Sequence, residues 1–167
     1  MQSQRSSLSA SAQRGNETPP SPRDRLRQET RAEHEALDAF FAEMLEPGAT
    51  ALYEHFLRMN LAAHREVEPI LAASAIAKAA PPWQPGHRLE ALEADARALG
   101  VSAVPDLSFS ITAPDLPQAF GMAYVLEGSR LGGALLARQA AAGMPTAYFA
   151  APQPPGAWRK FVENLDK

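Results

Sequence analysis

The sequence predicts an all-α fold, and two observations carry this prediction. Apolar residues recur every three or four positions in several separate segments, which is the spacing of one helix face. Between these segments lie prolines, glycines and capping residues that begin and end helices. The chain has 167 residues, which suits one domain, and 46% of them are hydrophobic, enough for a core. We therefore expect a single-domain helical bundle over residues 21–167.

Composition excludes several classes of function. The formal net charge of -3 argues against a nucleic-acid partner. The absence of cysteine excludes disulfides, thiolate metal sites and cysteine nucleophiles. No apolar run approaches the roughly 20 residues of a membrane span, and the first residues lack the apolar core of a signal peptide. We expect a cytoplasmic protein without membrane contact, and a disordered, Ser-rich tail over residues 1–20.

The first helix is expected to begin at the segment SPRD. Ser21 is a suitable N-cap, Pro22 fits the first helical position, and Asp24 follows three residues after the cap. Pro47 and Gly48 end the helix. One stripe of this segment recurs at helical spacing, and its members are Leu26, Thr30, His34, Leu37, Phe41 and Met44.

The next two helices are separated by a proline-rich loop. A helix is predicted over about residues 50–73, where Pro69 marks a point at which its last turns could bend. The Ala-rich residues 72–80 either extend this helix or fray, and PPWQPG forms the loop 81–86. The third helix, HRLEALEADARALG, closes at Gly100. The connection that follows includes a β-like patch, SFSIT.

The fourth helix carries the most informative segment. Asp115 and Gln118 are suited to cap its start, and Gly143 is expected to end it, with Pro145 just beyond. About 28 residues would give a length of roughly 42 Å. A last helix, AWRKFVENLDK, brings the expected number of main helices to five.

Three glycines interrupt this fourth helix. Gly128 and Gly132 lie four residues apart on one face, Gly133 widens that bare face, and Ser129 adds a small polar group. Each glycine costs about 1 kcal/mol relative to alanine in a helix interior, so something should compensate. Close packing of another helix is one explanation, and a flat ligand lying against the backbone is the other. Adjacent glycines also let the helix kink.

His34 is the histidine with the most informative position. It lies on the apolar stripe of the first helix, which is typical of a core histidine with one hydrogen bond but also compatible with a metal ligand. Asp38 follows one turn later and could accept the other ring N–H. Arg27, two turns earlier on the same face, would suit an anionic ligand. His55 and His64 are nine residues apart on different faces, and no histidine has Glu three residues before it, as di-iron bundles require.

Several segments together resemble the heme oxygenase family. LRQETRAEHEALD resembles the first-helix signature of that family, and YVLEGSRLGG resembles the distal-helix signature of its bacterial branch, particularly the forms found with bacteriophytochromes. The resemblance extends, in the right order, over about residues 22–167. The other matching segments are LYEHFLRMNLAAHREVEPIL, LEADARALG and AYFAAPQPPGAWRKFVENL.

The resemblance implies a role for particular residues. His34 would be the axial ligand of the heme iron, Asp38 would support it, and Arg27 would contact a heme propionate. Gly128, Ser129 and Gly132 would form the catalytic distal face and leave room for heme and dioxygen. Residues implied in binding heme are Arg27, Thr30, His34, Asp38, Tyr124, Gly128, Arg130, Gly132 and Gly133.

The implied activity is oxidative cleavage of heme b to biliverdin, CO and ferrous iron. It uses O₂ and electrons from a separate ferredoxin or reductase, and a bacteriophytochrome is a possible acceptor of the biliverdin. A non-catalytic heme- or bilin-binding sensor or carrier of the same fold is the alternative. Another member of the same helical superfamily is a third interpretation, and a plain structural bundle is the fourth. Ser129 stands where animal-type members have an aspartate, so the groups that anchor the catalytic water are open. Arg159 and Lys160 are candidates to clamp the propionates.

Overall fold

A computed structural model describes residues 19–79, 87–101 and 110–167 of the chain. These ranges contain eight helices and no strand, which confirms the all-α prediction. The tail before residue 19, the loop 81–86 and most of the β-like patch lie outside the described residues. The helices are α1 (Pro22–Glu29), α2 (Arg31–Phe40), α3 (Thr50–Ala73), α4 (Ile76–Ala79), α5 (His87–Ala98), α6 (Leu116–Gln139), α7 (Ala147–Ala150) and α8 (Ala157–Leu165).

The expected first helix is divided at Thr30 and ends at Phe40, so the end predicted at Pro47 and Gly48 is wrong. The Thr30 hydroxyl donates to the carbonyl of Leu26 at 2.8 Å, and the Thr30 backbone N–H donates to the same oxygen at 3.0 Å. Such back-bonding by a threonine side chain competes with the helical ladder and favours a break or bend. The start is as expected, because Ser21 Oγ accepts a hydrogen bond from Asp24 N at 3.2 Å.

Helix α6 begins as predicted and ends earlier. Asp115 accepts from Gln118 N at 2.9 Å, and the Gln118 side chain accepts from Asp115 N at 3.1 Å, which is a complete capping box. The end expected at Gly143 is wrong. The backbone turns extended at Ala140, with ψ 136°, and Ala141 N–H then donates to Leu45 O at 3.2 Å. The contact with Leu45 thus replaces the last turn that was expected for this helix. The kink expected in α6 stays a prediction.

The core consists of two neighbouring clusters. The first joins the end of α2 to α3, α5 and α7 and is rich in aromatic rings: Phe41, Tyr53, Phe56, Tyr148 and Phe149. The second joins the end of α3 to α4, the first half of α6 and α8, and its large members are Val67, Leu71, Ile76, Phe120, Phe161 and Val162. Helices α3 and α6 therefore form the frame to which the shorter helices attach.

None of the helices in the described ranges is both long enough and apolar enough to cross a membrane. Short helices α4 and α7 were not expected from the sequence, since four residues give too little periodicity to detect. The predicted span of 50–73 for the second main helix is confirmed by α3.

Candidate functional site

One face of helix α6 is left uncovered by the described residues. Val125, Leu131 and Leu135 are 52, 59 and 58% exposed, although they lie in the middle of the helix. At 100° per residue these three side chains flank Gly128 and Gly132, whereas the buried residues Ala119, Ala123 and Glu127 point to the other side. Helix α6 therefore packs on one side and presents an apolar, glycine-lined face on the other. We call residues 125, 128, 131, 132 and 135 the glycine face.

The three glycines of this segment differ in their surroundings. Within residues 19–79, 87–101 and 110–167, a Cβ atom at Gly132 would meet nothing within 4 Å. A Cβ atom at Gly133 would lie 3.0 Å from the carbonyl oxygen of Phe149, so this glycine serves the packing of α7 on α6. At Gly128 the nearest atom would be Cη2 of Trp158 at 3.8 Å. Both explanations of the glycines therefore have support, each at a different position.

The residues expected on the iron-ligand side lie on an exposed helix. Helix α2 contains no buried residue, and His34 and Asp38 are both exposed. Among the described residues these two side chains form no hydrogen bond with each other. Leu37 and Phe40 on the same helix are 45 and 59% exposed, an unusual state for large apolar side chains in succession. His34 thus lies on a partly apolar helix, and the described parts of the chain do not enclose it.

Helices α1, α6 and α8 contribute residues to the lining of one cavity of about 670 Å³. Leu26 and Glu29 line it from α1, and Phe120 and Gly121 line it from α6. His34 and Gly128 are not among its lining residues. In sequence, His34 follows Glu29 and Gly128 follows Gly121 by one to two helical turns. Arg27 is exposed near the end of α1, and Thr30 is half-buried.

Two further predicted residues of α6 contact protein groups. Tyr124 is half-buried and packs against Trp158, with ring centroids 5.5 Å apart. Arg130 Nε lies 2.8 Å from a carboxylate oxygen of Glu127, and Arg130 Nη1 donates to Pro152 O at 3.4 Å. Arg130 thus connects α6 to the segment before α8, where Gln153 also donates to Glu127 at 3.0 Å.

Ser129 lies beside the glycine face, and its hydroxyl oxygen accepts a hydrogen bond from a buried arginine. Arg88 of α5 is only 2% exposed, and its Nη1 donates to Ser129 Oγ at 2.6 Å and to Leu126 O at 2.8 Å. Its guanidinium carbon lies 3.9 Å from the ring centroid of Tyr148, a cation–π contact. Burial lowers the pKa of Arg88, while the neighbouring Tyr148 acts in the opposite direction. The serine hydroxyl therefore has a fixed charged donor.

The buried polar groups continue from Arg88 to helix α3. The Tyr148 hydroxyl donates to Asn60 Oδ1 at 3.1 Å and lies 3.2 Å from Nε2 of His64. Nδ1 of His64 lies 2.6 Å from a carboxylate oxygen of Glu68. His64 and Glu68 are both buried. Tyr148 is buried as well, and this burial raises its pKa. We call Asn60, His64, Glu68, Arg88, Ser129 and Tyr148 the buried polar network.

Asp95 fixes the position of Tyr148 in this network. Its two carboxylate oxygens accept hydrogen bonds from the backbone N–H groups of Ala147 and Tyr148, each at 2.9 Å. Asp95 is a buried residue of α5, and these two hydrogen bonds cap the first turn of the short helix α7. The same turn carries Phe149 against Gly133. Asp95 therefore couples the network to the backbone of α6.

Sequence reasoning did not identify this network. His64 and Glu68 are four residues apart on α3, and this spacing was a signal that a polar pair shares one helix face. Arg88 gave no signal, because its partners Leu126 and Ser129 are 38 and 41 residues away. Within the described residues, no cluster of three or more His, Asp or Glu side chains is arranged to hold a metal ion.

The comparison with curated proteins found a similarity to a heme oxygenase. The chain is 37% identical over 94 residues to a curated heme oxygenase of Xanthomonas campestris pv. campestris (strain 8004). The aligned part covers 51% of this chain and 54% of that protein, so the chain spans about half the length of the curated relative it matches. No protein-family model matches the chain. No solved structure matches it either.

Proposed function

We propose that this protein is a heme oxygenase, which cleaves heme b to biliverdin, CO and ferrous iron. The observation that carries the proposal is the glycine face of α6, an exposed apolar helix face with open space at Gly132. A flat macrocycle is the kind of ligand that such a face can approach at van der Waals distance. The similarity to the Xanthomonas heme oxygenase supports the same conclusion.

Side chains on α1 and α2 support the proposal of heme binding. His34 offers an unencumbered imidazole on α2, and imidazole is a usual axial ligand of heme iron. The exposed Leu37 and Phe40 would bury apolar surface against the macrocycle, and each buried CH₂ is worth about 0.8 kcal/mol. Arg27 is an exposed cation two turns before His34 and would pair with a propionate.

When bound, heme supplies the iron that activates O₂, with electrons from a separate ferredoxin or reductase. The protein residues have three tasks. His34 would hold the iron, Asp38 would orient the imidazole once the two side chains form a hydrogen bond, and Gly128 and Gly132 would keep other side chains away from the bound ligand. Ser129 presents a hydroxyl that Arg88 holds in place, which makes it the proposed polar group nearest the glycine face.

The proposed partners follow from the chemistry. The protein needs an electron donor, because the sequence contains no flavin or iron–sulfur motif. We further propose a cytoplasmic location and delivery of biliverdin to an acceptor such as a bacteriophytochrome. A carrier or sensor that keeps its heme intact is the alternative that the experiment below separates.

The test is an optical titration of the full chain with hemin, comparing wild type with two variants and one control. His34→Ala removes the proposed ligand, and Gly132→Leu fills the open face. His55→Ala is the matched control, because His55 is another exposed histidine and lies on the next helix. We expect stoichiometric binding by wild type and His55→Ala, altered ligation in His34→Ala, and at least tenfold weaker binding by Gly132→Leu. No binding by wild type would refute the proposal.

A further inference from the structure

We propose that helix α5 holds the glycine face of α6 in position through two buried side chains, Arg88 and Asp95, which act together as positioning residues. Arg88 bonds to α6 directly, and Asp95 reaches it through α7. Each of the two is only 2% exposed. What this positioning contributes to catalysis rests on the proposed function, whereas the positioning itself can be measured on the protein without heme.

The first anchor is a pair of hydrogen bonds from one nitrogen atom. Nη1 of Arg88 carries two hydrogens, and its two acceptors on α6 are Leu126 O at 2.8 Å and Ser129 Oγ at 2.6 Å. The Ser129 hydroxyl gives its own hydrogen to the same Leu126 oxygen, at 2.7 Å. Because the guanidinium is planar and rigid, two bonds from it fix both the distance and the orientation of α6 at this point.

The second anchor is the backbone of α7. The carboxylate of Asp95 accepts hydrogen bonds from the N–H groups of Ala147 and Tyr148, each at 2.9 Å. The next residue, Phe149, presents its backbone to Gly133, where a Cβ atom would lie 3.0 Å from Phe149 O. Backbone atoms cannot rotate aside as a side chain can. By fixing α7, Asp95 therefore fixes the surface against which Gly133 packs.

The two anchors match in spacing. Arg88 and Asp95 are seven residues apart, so they lie on one face of α5, about 10.5 Å apart along its axis. Their contact points on α6, Leu126 and Gly133, are also seven residues apart and share one face. One helix can thus hold two points of the other without strain. The two open glycines of the glycine face each lie next to one of these points.

The anchors hold α6 without covering the glycine face. At 100° per residue, Leu126, Ser129 and Gly133 fall within about 60° of one another around the helix axis, and the centre of the glycine face lies roughly 130° away. The exposure of Leu131 and Leu135 on that face agrees with this geometry. A ligand can therefore approach the face while both anchors stay in place.

Tyr148 joins the two anchors into one unit. Its backbone N–H bonds to Asp95, and its ring centroid lies 3.9 Å from the guanidinium carbon of Arg88. Moving either anchor therefore displaces Tyr148 and disturbs the other. Groups that share a contact in this way respond to double substitution in a non-additive manner.

The glycines explain why this part of α6 needs such support. Glycine leaves the backbone free, and neighbouring glycines let a helix bend. A reactive site, by contrast, must be held to within about 0.5 Å by the groups around it. The anchors on α5 supply the rigidity that the glycine-rich sequence gives up. We therefore expect the glycine face to be ordered before any ligand binds.

The test measures amide hydrogen exchange in α6 of the heme-free, full chain. Arg88→Met removes both hydrogen bonds, and Arg88→Lys keeps the charge but not the planar group. Asp95→Asn replaces one accepting oxygen by an NH₂ donor. Arg65→Met is the matched control, because it removes a cation that pairs with Glu93 of α5 at 3.0 Å, outside both anchors. Urea unfolding first establishes which variants are folded.

Exchange at residues 128–133 decides the inference, and residues 119–124 of the same helix are the internal reference. Because hydrogen bonds to charged groups are lost, we expect at least about tenfold faster exchange at 128–133 in Arg88→Met and Asp95→Asn. Arg88→Lys should be intermediate. The reference residues, and all of α6 in Arg65→Met, should change by less than about twofold. The double variant should exceed the larger single effect by less than about threefold.

Three results would overturn the inference. Unchanged exchange at 128–133 would show that the anchors do not hold the glycine face. Equal acceleration at 119–124 would show a general loss of stability and no positioning. Fully multiplicative effects in the double variant would show two independent contacts. If Arg88→Met does not fold, Arg88→Lys and Asp95→Asn are judged by the first two results.

The heme-loaded protein gives an independent readout. A misplacement of about 1 Å can cost roughly 100-fold in rate, so Arg88→Met should slow heme breakdown by about 10- to 100-fold. Hemin affinity should fall by less than about threefold, and Arg65→Met should change neither quantity. If wild type fails to bind hemin, the proposed function is refuted, while the exchange measurement still decides whether α5 positions the glycine face.

Discussion

Gly132 and Gly133 should respond oppositely to the same substitution. In α6 each glycine gives up about 1 kcal/mol of helix propensity relative to alanine. A methyl group at Gly132 meets no atom of the described residues within 4 Å, so Gly132→Ala should stabilise the protein by about 0.5–1 kcal/mol. A methyl group at Gly133 would lie 3.0 Å from Phe149 O and 3.4 Å from its Cα, both backbone atoms that side-chain rotation cannot move.

The difference between the two variants isolates this contact. Helix propensity is the same for both and cancels, and overpacking a tight site costs about 1–3 kcal/mol. Gly133→Ala should therefore be less stable than Gly132→Ala by about 1–3 kcal/mol. For a chain of this size, each kcal/mol shifts Tm by about 2–4 °C, so the difference is measurable by thermal or urea unfolding.

Either of two results would refute this reasoning. Equal stability of the two variants would mean that α7 does not press on Gly133 in solution. A loss of stability in Gly132→Ala would mean that another part of the chain covers the glycine face. Gly128→Ala is an internal reference, because its methyl group would make only an ordinary contact with Trp158 at 3.8 Å.

Three further predictions concern the network and its surroundings. Asp95→Ala should cost about 1–3 kcal/mol in urea unfolding, because it leaves the buried N–H group of Tyr148 without an acceptor and removes a second, part-buried bond to the N–H group of Ala147; a cost below about 0.5 kcal/mol would contradict this. Burial raises the pKa of both Tyr53 and Tyr148, so their stabilisation is complete below the unfolded value of about 10 and is lost as pH rises above it. Unfolding free energy should fall above about pH 10, less steeply in Tyr53→Phe; an unchanged slope would contradict the assignment. Arg88→Met should remove the charged donor to Ser129 Oγ, which keeps only its own bond to Leu126 O, and should slow heme breakdown more than it weakens hemin binding, which paired rate and affinity measurements would check.

Local interactions explain what could be predicted from the sequence. Asp115 and Gln118 cap α6 through atoms three residues apart, and Gly100, which follows α5, has the positive φ of 68° that a glycine after a helix commonly adopts. The span of α3 followed from periodicity alone. Each of these features depends on neighbours within one or two turns.

Long-range contacts explain what the sequence did not disclose. Helix α6 ends before Gly143 because Ala141 bonds to Leu45, almost a hundred residues earlier. The ring of His64 lies beside the hydroxyl of Tyr148, 84 residues later, and no local sequence pattern predicts that contact. The glycines looked alike in sequence, yet α7 covers Gly133 and leaves Gly132 open. The placement of His34 on the iron remains a prediction.

Product formation tests the central proposal most directly. Hemin-loaded wild type, His34→Ala, and His34→Ala with added imidazole would be given ferredoxin, its reductase and O₂, and the products identified by mass spectrometry. We predict loss of the Soret band and formation of biliverdin and CO by wild type, little by the variant, and partial recovery when imidazole replaces the missing ligand. A Soret band that persists in wild type under these conditions would contradict the enzyme and favour a heme carrier.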